Sequence, residues 1–326
     1  MANPAHSRRL GTVAPLFDPL AGQVVREPLG AGGGWWAGAP GAFYDEVTGR
    51  FYLTYRLRGP RPMRGAISRI AVSDDGLAFE DIAELRREQL DSDSIERCAI
   101  LRGLDGRWRW FISYVDPATS QWRTDLVLAD SPEQLCIAQR QPVWTCADLP
   151  GIEGVKEPYV AIIGRLYYLV SSIGLTVDVA AEQVGDKHAT GDIFNTGLTI
   201  SSTGLSVSSD GVHFRWLGVT DAPRGEWDPY CLRVNSLLWT PPVFTAFYDG
   251  SASVAENYEE RCGLAQSFDL LRYERVSTDG PILTVPHGSG SVRYVDVVEA
   301  RGRLHYYYEM VRPDGAHELR VAVVDR

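Results

Sequence analysis

The chain has 326 residues, 44% hydrophobic and 23% charged, which suits one large all-β domain or two average domains. Its 32 Lys and Arg stand against 42 Asp and Glu, a net charge of −10. That balance argues against nucleic acid or an anionic membrane as partner, since both require clustered positive charge.

No stretch approaches the roughly 18 apolar residues of a membrane-spanning helix. The N-terminal Arg8 and Arg9 are not followed by an apolar run of signal-peptide length, so a cytoplasmic chain is expected. The five cysteines are odd in number and lack CxxC spacing, which reads as free thiols; Cys136 and Cys146 are close enough in sequence to bridge a hairpin.

In chain order, apolar alternation bounded by Gly, Asp and Pro predicts strands nearly throughout. The first unit runs AGAPGAFYD (37–45), GRFYLTYRLRG (49–59), AISRIAVSDDG (66–76) and AFEDI (78–82). Within it Arg56, Arg58, Arg61 and Arg64 form the densest basic cluster, interrupted by two prolines, and read as a turn or a local anion contact. The same sequence of strands recurs from IERCAILRG (95–103), KEPYVAII (156–163), DPYCLRVNSL (228–237) and SVRYVDVVEA (291–300). Four of the five second strands open on a Gly-Arg turn. Short helices are expected only at 81–90 and 176–184. The turns Ser73–Gly76 and Ser208–Gly211 supply Asp and Gly for tight reversals.

Taking Ala39, Glu96, Glu157, Asp228 and Arg293 as equivalent positions gives spacings of 57, 61, 71 and 65. Five four-stranded antiparallel meanders predict a single all-β domain, a five-bladed β-propeller, with blades near 33–82, 92–145, 153–219, 226–278 and 288–326. The third blade carries an insertion, residues 173–197, which reads as a lid or a contact between subunits.

In a propeller the first strand of each blade lines the central channel. The strand openings carry Glu96-Arg97, Lys156-Glu157, Asp228 with Arg233 further on, and Arg293-Tyr294. Buried carboxylates are costly unless paired, so their convergence indicates either a polar pocket or ion pairs sealing the channel. Carboxylates, arginines and aromatic platforms (Trp35, Trp36, Trp227, Tyr230) together suit a sugar, whose hydrolysis needs a protonated acid and an ionised carboxylate. Glu256, Glu259 and Glu260 beside Arg261 fit a solvated loop as well as an arm over the pocket. His287 and His317 lie in the last unit without a cage of ligands at metal spacing, so neither metal nor cofactor is expected.

At the motifs WWAGAP (35–40), IERCAIL (95–101), VKEPYV (155–160) and WDPYCLRV (227–234), the chain resembles the five-bladed propeller glycosidases of glycoside hydrolase families 43, 32, 62, 68, 117 and 130. The family-43 pattern places an Asp base in the first blade, an Asp modulator in the second and a Glu acid in the third. The resemblance implies Glu157 as general acid and Glu96 as its modulator. Ala39 stands where the base is expected, so Asp228 is the substitute base. Trp36, Arg97, Lys156, Tyr230, Glu260, Arg261, Arg293 and Tyr294 are the expected substrate contacts. The expectation is therefore an enzyme acting on a glycosidic bond of a small sugar conjugate. One alternative is a phosphorylase with an anion site built from Arg97, Lys156, Arg261 and Arg293. The other is a propeller that binds a sugar-like ligand without hydrolysing it, or serves a biosynthetic reaction.

Overall fold

A computed structural model describes residues 13–326; Arg8 and Arg9 lie outside that range. The described chain is almost entirely β. Strands β1 (Gln23–Arg26), β2 (Trp36–Asp45), β3 (Arg50–Gly59), β4 (Arg64–Ser73) and β5 (Glu80–Arg86) come first. Then follow β6 (Ala99–Arg102), β7 (Trp108–Val115), β8 (Trp122–Ala129), β9 (Gln141–Trp144), β10 (Ile152–Ile163), β11 (Leu166–Thr176), β12 (Thr199–Ser208) and β13 (Arg215–Val219). The remainder are β14 (Cys231–Thr240), β15 (Val243–Ser251), β16 (Arg261–Ser267), β17 (Glu274–Arg275), β18 (Val292–Ala300), β19 (Arg303–Val311) and β20 (His317–Asp325).

Antiparallel pairing runs β2-β3-β4-β5, β6-β7-β8-β9, β10-β11-β12-β13 and β14-β15-β16-β17. The last meander, β18-β19-β20, takes its outer strand from the other end of the chain: β1 pairs with β20, Gln23 opposite Val321. Single parallel bridges, Ser201–Cys231, Arg261–Val292 and Trp36–His317, join neighbouring meanders into one sixteen-stranded network, and β6–β9 stand apart as four strands. The first strands touch one another in a closed order, β2 to β6, β10, β14, β18 and back to β2.

This arrangement explains the long apolar runs. A meander packed between two others buries both faces of its inner strands, so alternation separates two cores instead of core from water. On β19, Leu304, Tyr306, Tyr308 and Met310 join a core with Phe247 of β15, while Tyr307, on the opposite face, joins Phe51, Leu53 and Tyr55 of β3.

The helices expected at 81–90 and 176–184 are not formed. Glu80–Arg86 pairs with β4 as a strand, followed by a 3-10 turn over Arg87–Leu90, and the second segment holds only a 3-10 turn at Ala181–Asp186. Edge pairing overrides local helix propensity here. The two Ser-Asp-Gly turns form as expected, the serine hydroxyl accepting from the glycine N–H at 2.9 Å in both. A third copy occurs at Ser267–Leu270, where Leu270 adopts φ +65° in place of glycine. All five cysteines are free, Cys136 and Cys146 included.

Close approach between the first two meanders depends on Gly41. A β-carbon there would collide with the Cys98 carbonyl, which also accepts from the Thr54 hydroxyl at 2.7 Å. Gly41→Ala is expected to cost about 2–3 kcal/mol through overpacking against backbone, read as a lower urea midpoint with unchanged slope.

Candidate active site

The strand registers define which charges share a layer. Gly38 lies opposite Arg56, Lys156 opposite Ser172, Arg233 opposite Asp249 and Arg293 opposite Glu309. In the second meander the Glu96 N–H donates to the Ser113 carbonyl at 2.8 Å, which puts Glu96 in the same place. The equivalent first-strand residues are thus Gly38, Glu96, Lys156, Arg233 and Arg293. Immediately after this layer β2, β10, β14 and β18 shift register, two residues opposing one. In three of these bulges a non-glycine residue takes the left-handed conformation: Ala39 (φ 51°), Glu157 (φ 57°) and Tyr294 (φ 52°). A bulge re-aims side chains that regular pleating would send into the flanking cores.

The layer forms one buried chain of alternating charge. Glu96 pairs with Arg56 and, at 3.6 Å, with Lys156; Lys156 lies 3.1 Å from Glu157. Arg233 reaches Glu157 at 3.4 Å, Asp249 at 3.0 Å and Glu260 at 3.3 Å. Arg293 binds Glu260 and Glu309, each at 2.6 Å. His317 then lies between Glu309 at 2.9 Å and the half-exposed Glu259 at 3.0 Å, and Glu259 also accepts from the Ser289 hydroxyl. Tyr294 donates its hydroxyl to Glu157 at 2.7 Å and its N–H to Asp249 at 3.0 Å.

These surroundings push two carboxyls in opposite directions. Burial alone would raise Glu157, but Arg233 above all, then Lys156 and the Tyr294 hydroxyl, outweigh it and hold the group down to about 2. Burial raises Asp249 to about 6, with Glu260 adding to the rise and Arg233 opposing it. Glu309 and Glu260 are held low against their burial, Glu309 chiefly by Arg293 and Glu260 chiefly by Arg233.

Beyond this layer, Arg97 donates to the Pro40 carbonyl (2.6 Å), the Asn235 carbonyl (2.8 Å) and Asp296 (2.8 Å), fastening β2, β14 and β18 together. At the mouth, part of the 173–197 insertion covers the layer. Asp192 accepts from Trp122 (3.0 Å) and Tyr258 (2.7 Å), Tyr230 donates to the Phe194 carbonyl (2.7 Å), and the Phe194 ring lies 4.3 Å from the Lys156 ammonium. The insertion is therefore a cover in this conformation, while Ala181–Asp186 stays exposed.

Of the sequence-derived residues, Glu96, Lys156, Glu157, Glu260, Arg293 and Tyr294 come together. Trp36 stands at the mouth, edge-on to His317. Tyr230 serves the cover, Arg97 is a clamp saturated by protein acceptors, and Arg261 pairs with Glu256 at 2.9 Å away from the layer. Asp228 is not part of the cluster. It accepts from the Gly225 N–H (2.7 Å) and the Tyr248 hydroxyl (2.8 Å) and faces Arg275 at 3.4 Å, so it is consumed in shaping the loop before β14. The expected base position in the first meander is also explained. A β-carbon on Gly38 would collide with the Glu309 carboxylate, which accepts the Ala39 N–H at 3.0 Å. Glu309, from a second strand, fills the space that a first-strand side chain would need. Sequence reasoning missed Asp249, Glu309 and Arg56 as a set. Their signal was a charge inside an aromatic second strand, one in FTAFYDGS, one in LHYYYEM and two, Arg56 and Arg58, in YLTYRLR.

Because the Glu157 carboxyl is depressed, its stabilising contribution is fully present above its unfolded value of about 4.3 and is lost as pH falls toward about 2. Glu157→Gln leaves Arg233 and Lys156 under-compensated and is expected to cost about 3–5 kcal/mol at pH 7. Denaturant titrations from pH 7 downward should show the gap between wild type and variant narrowing below about pH 4.5.

No known family profile matches the sequence, and no curated protein matches it. Solved structures do. A glycoside hydrolase aligns with TM-score 0.66 at 14% identity over 93% of this chain and 90% of its own. A thermostable family-43 glycoside hydrolase aligns at 0.62 and 13% identity over 92% of both chains. A β-1,2-mannobiose phosphorylase from Listeria innocua aligns at 0.59 and 16% identity over 97% of this chain and 94% of its own. At such identities the likeness establishes architecture alone: this chain shares the all-β, propeller-like fold of these structures.

Proposed function

We propose that the protein is a five-bladed β-propeller enzyme that cleaves a glycosidic bond at the charged layer on its axis. The closed order of first strands and the four-strand rhythm support the blade count. A family-43 enzyme of the same fold, from Xanthomonas citri, was solved with xylotriose, which supports a carbohydrate substrate.

The observation that carries the mechanism is the pairing of Glu157 and Asp249 on one guanidinium, Arg233, with opposite protonation tendencies. Two carboxyls whose surroundings drive their pKa values apart are the usual arrangement for acid and base. Asp249 is protonated over a range reaching toward neutrality and donates that proton to the leaving oxygen. Glu157 is ionised throughout that range. It stabilises positive charge at the anomeric carbon and takes the proton of the attacking water. This reverses the proton-donor role that the family pattern suggests for Glu157, for an electrostatic reason: Arg233 and Lys156 favour its charged form. Glu96 holds Lys156 and so positions Glu157 at one remove. Displacement of the Asp192–Phe194 cover admits substrate.

Leaving-group dependence separates the roles. A dinitrophenolate needs no protonation to depart, so Asp249→Asn is expected to retain turnover of dinitrophenyl glycosides while losing about 10²–10⁴-fold on alkyl glycosides. Glu157→Gln is expected to lose both. The opposite pattern would return the acid role to Glu157. The phosphorylase among the structural neighbours motivates running each assay with and without inorganic phosphate; turnover only with phosphate would replace water as the acceptor.

A further inference from the structure

Among the buried guanidiniums of the axis, Arg58 is the exception. Arg97, Arg233 and Arg293 each meet a carboxylate, and Arg56 meets Glu96. Arg58, 5% exposed, has no salt bridge, and its buried Nε and Nη1 find no acceptor among the described residues. The neighbouring carboxylates are already committed: Asp192 to Trp122 and Tyr258, Glu309 to Arg293 and His317, Glu259 to His317 and Ser289. Like charge adds to the imbalance. Arg56, two residues along the same face, is pushed down by burial and further by Arg58, and Arg64 is pushed down by burial with Asp192 only partly offsetting it.

Two aromatic rings stand beside this cation, Trp36 at 4.9 Å and Tyr258 at 4.4 Å. Their centroids are 5.8 Å apart, so the three centres form a triangle and the rings make one wall instead of a sandwich. Cation–π attraction compensates part of the charge but leaves the in-plane N–H groups without acceptors. The indole Nε1 of Trp36, in the same wall, also lacks one. Arg58 pairs with Trp36 two rungs outward from the Gly38–Arg56 pair, about 7 Å along the strand from the charged layer. That is about the span of one sugar ring. Tyr258, which covers the site, is itself held at φ +78°, a conformation strained for a tyrosine.

We propose that Arg58 anchors the carboxylate of an acidic sugar, so that the substrate is a uronic-acid glycoside; this rests on the axial layer being the glycoside site. One free guanidinium matches one negative charge, and the Trp36–Tyr258 wall suits the apolar face of a pyranose ring. A phosphate dianion would call for further unpaired cations or backbone donors at the same place.

The test is calorimetric binding to the wild-type protein of glucuronate and galacturonate, beside xylose and arabinose, which share their ring configurations but lack the C5 carboxylate, and beside inorganic phosphate. A uronate is expected to bind at least about tenfold more tightly than its matched pentose, and Arg58→Gln to remove that preference. Losing an uncompensated buried charge, Arg58→Gln is expected to melt no lower than wild type. If it nevertheless failed to fold, the wild-type preference and Arg58→Lys would still decide. Equal binding of uronate and pentose, an unchanged preference in Arg58→Gln, or binding of phosphate in place of uronates would overturn the proposal. Failure of the glycosidase reading is distinguishable. Arg58-dependent uronate binding without turnover of any glycoside keeps the anchor and removes the enzyme. Efficient cleavage of neutral glycosides, indifferent to Arg58, does the reverse.

Discussion

An ion taken out of water must meet its opposite, and the interior of this protein is organised by that requirement. From Glu259 through His317, Glu309, Arg293, Glu260, Arg233, Glu157, Lys156 and Glu96 to Arg56, sign alternates at nearly every step, and many of the links join different meanders. No member can be neutralised without stranding the next. Such a chain positions side chains as firmly as packing does. It also sets protonation states, which is why two carboxyls on the same arginine differ so much. The alternation stops at Arg58, which follows Arg56 on the same face of β3 and has no carboxylate partner among the described residues.

The backbone delivers these charges by a repeated device. Bulges in four of the first strands turn the residues after the charged layer, and in three of them a non-glycine residue accepts a left-handed conformation. Conformations of that kind cost free energy and persist where surrounding contacts enforce them. Here Tyr294 is fixed through both its hydroxyl and its N–H, and Ala39 through Glu309. Arg97 braces the far side by joining three first strands through one guanidinium.

Much of this was legible in the sequence, and the errors are informative. Aromatic second strands opening on Gly-Arg marked the four-strand rhythm, and Glu96 and Arg293 fell on their true positions. Ala39 and Glu157 were one residue late, because a bulge adds a residue where regular alternation predicts none. Asp228 was five residues early, because the Asp-Pro pair in the loop between β13 and β14 imitates a strand opening. The second-strand charges stayed hidden for another reason. A side chain such as Glu309 acts in space vacated by Gly38, some 270 positions away in the chain, and only the folded register brings the two together.

The pairing of Gln23 with Val321 has a temporal side. Ring closure joins segments nearly 300 positions apart, and contacts between such distant segments form late, since the loop entropy is lost before any strand pairing offsets it. Until β1 meets β20, the last meander lacks its outer strand and presents an unpaired edge, the kind of surface that recruits strands from other molecules. The molecule is thus most exposed to misassembly at the final step of its folding, when nearly all of its core already exists.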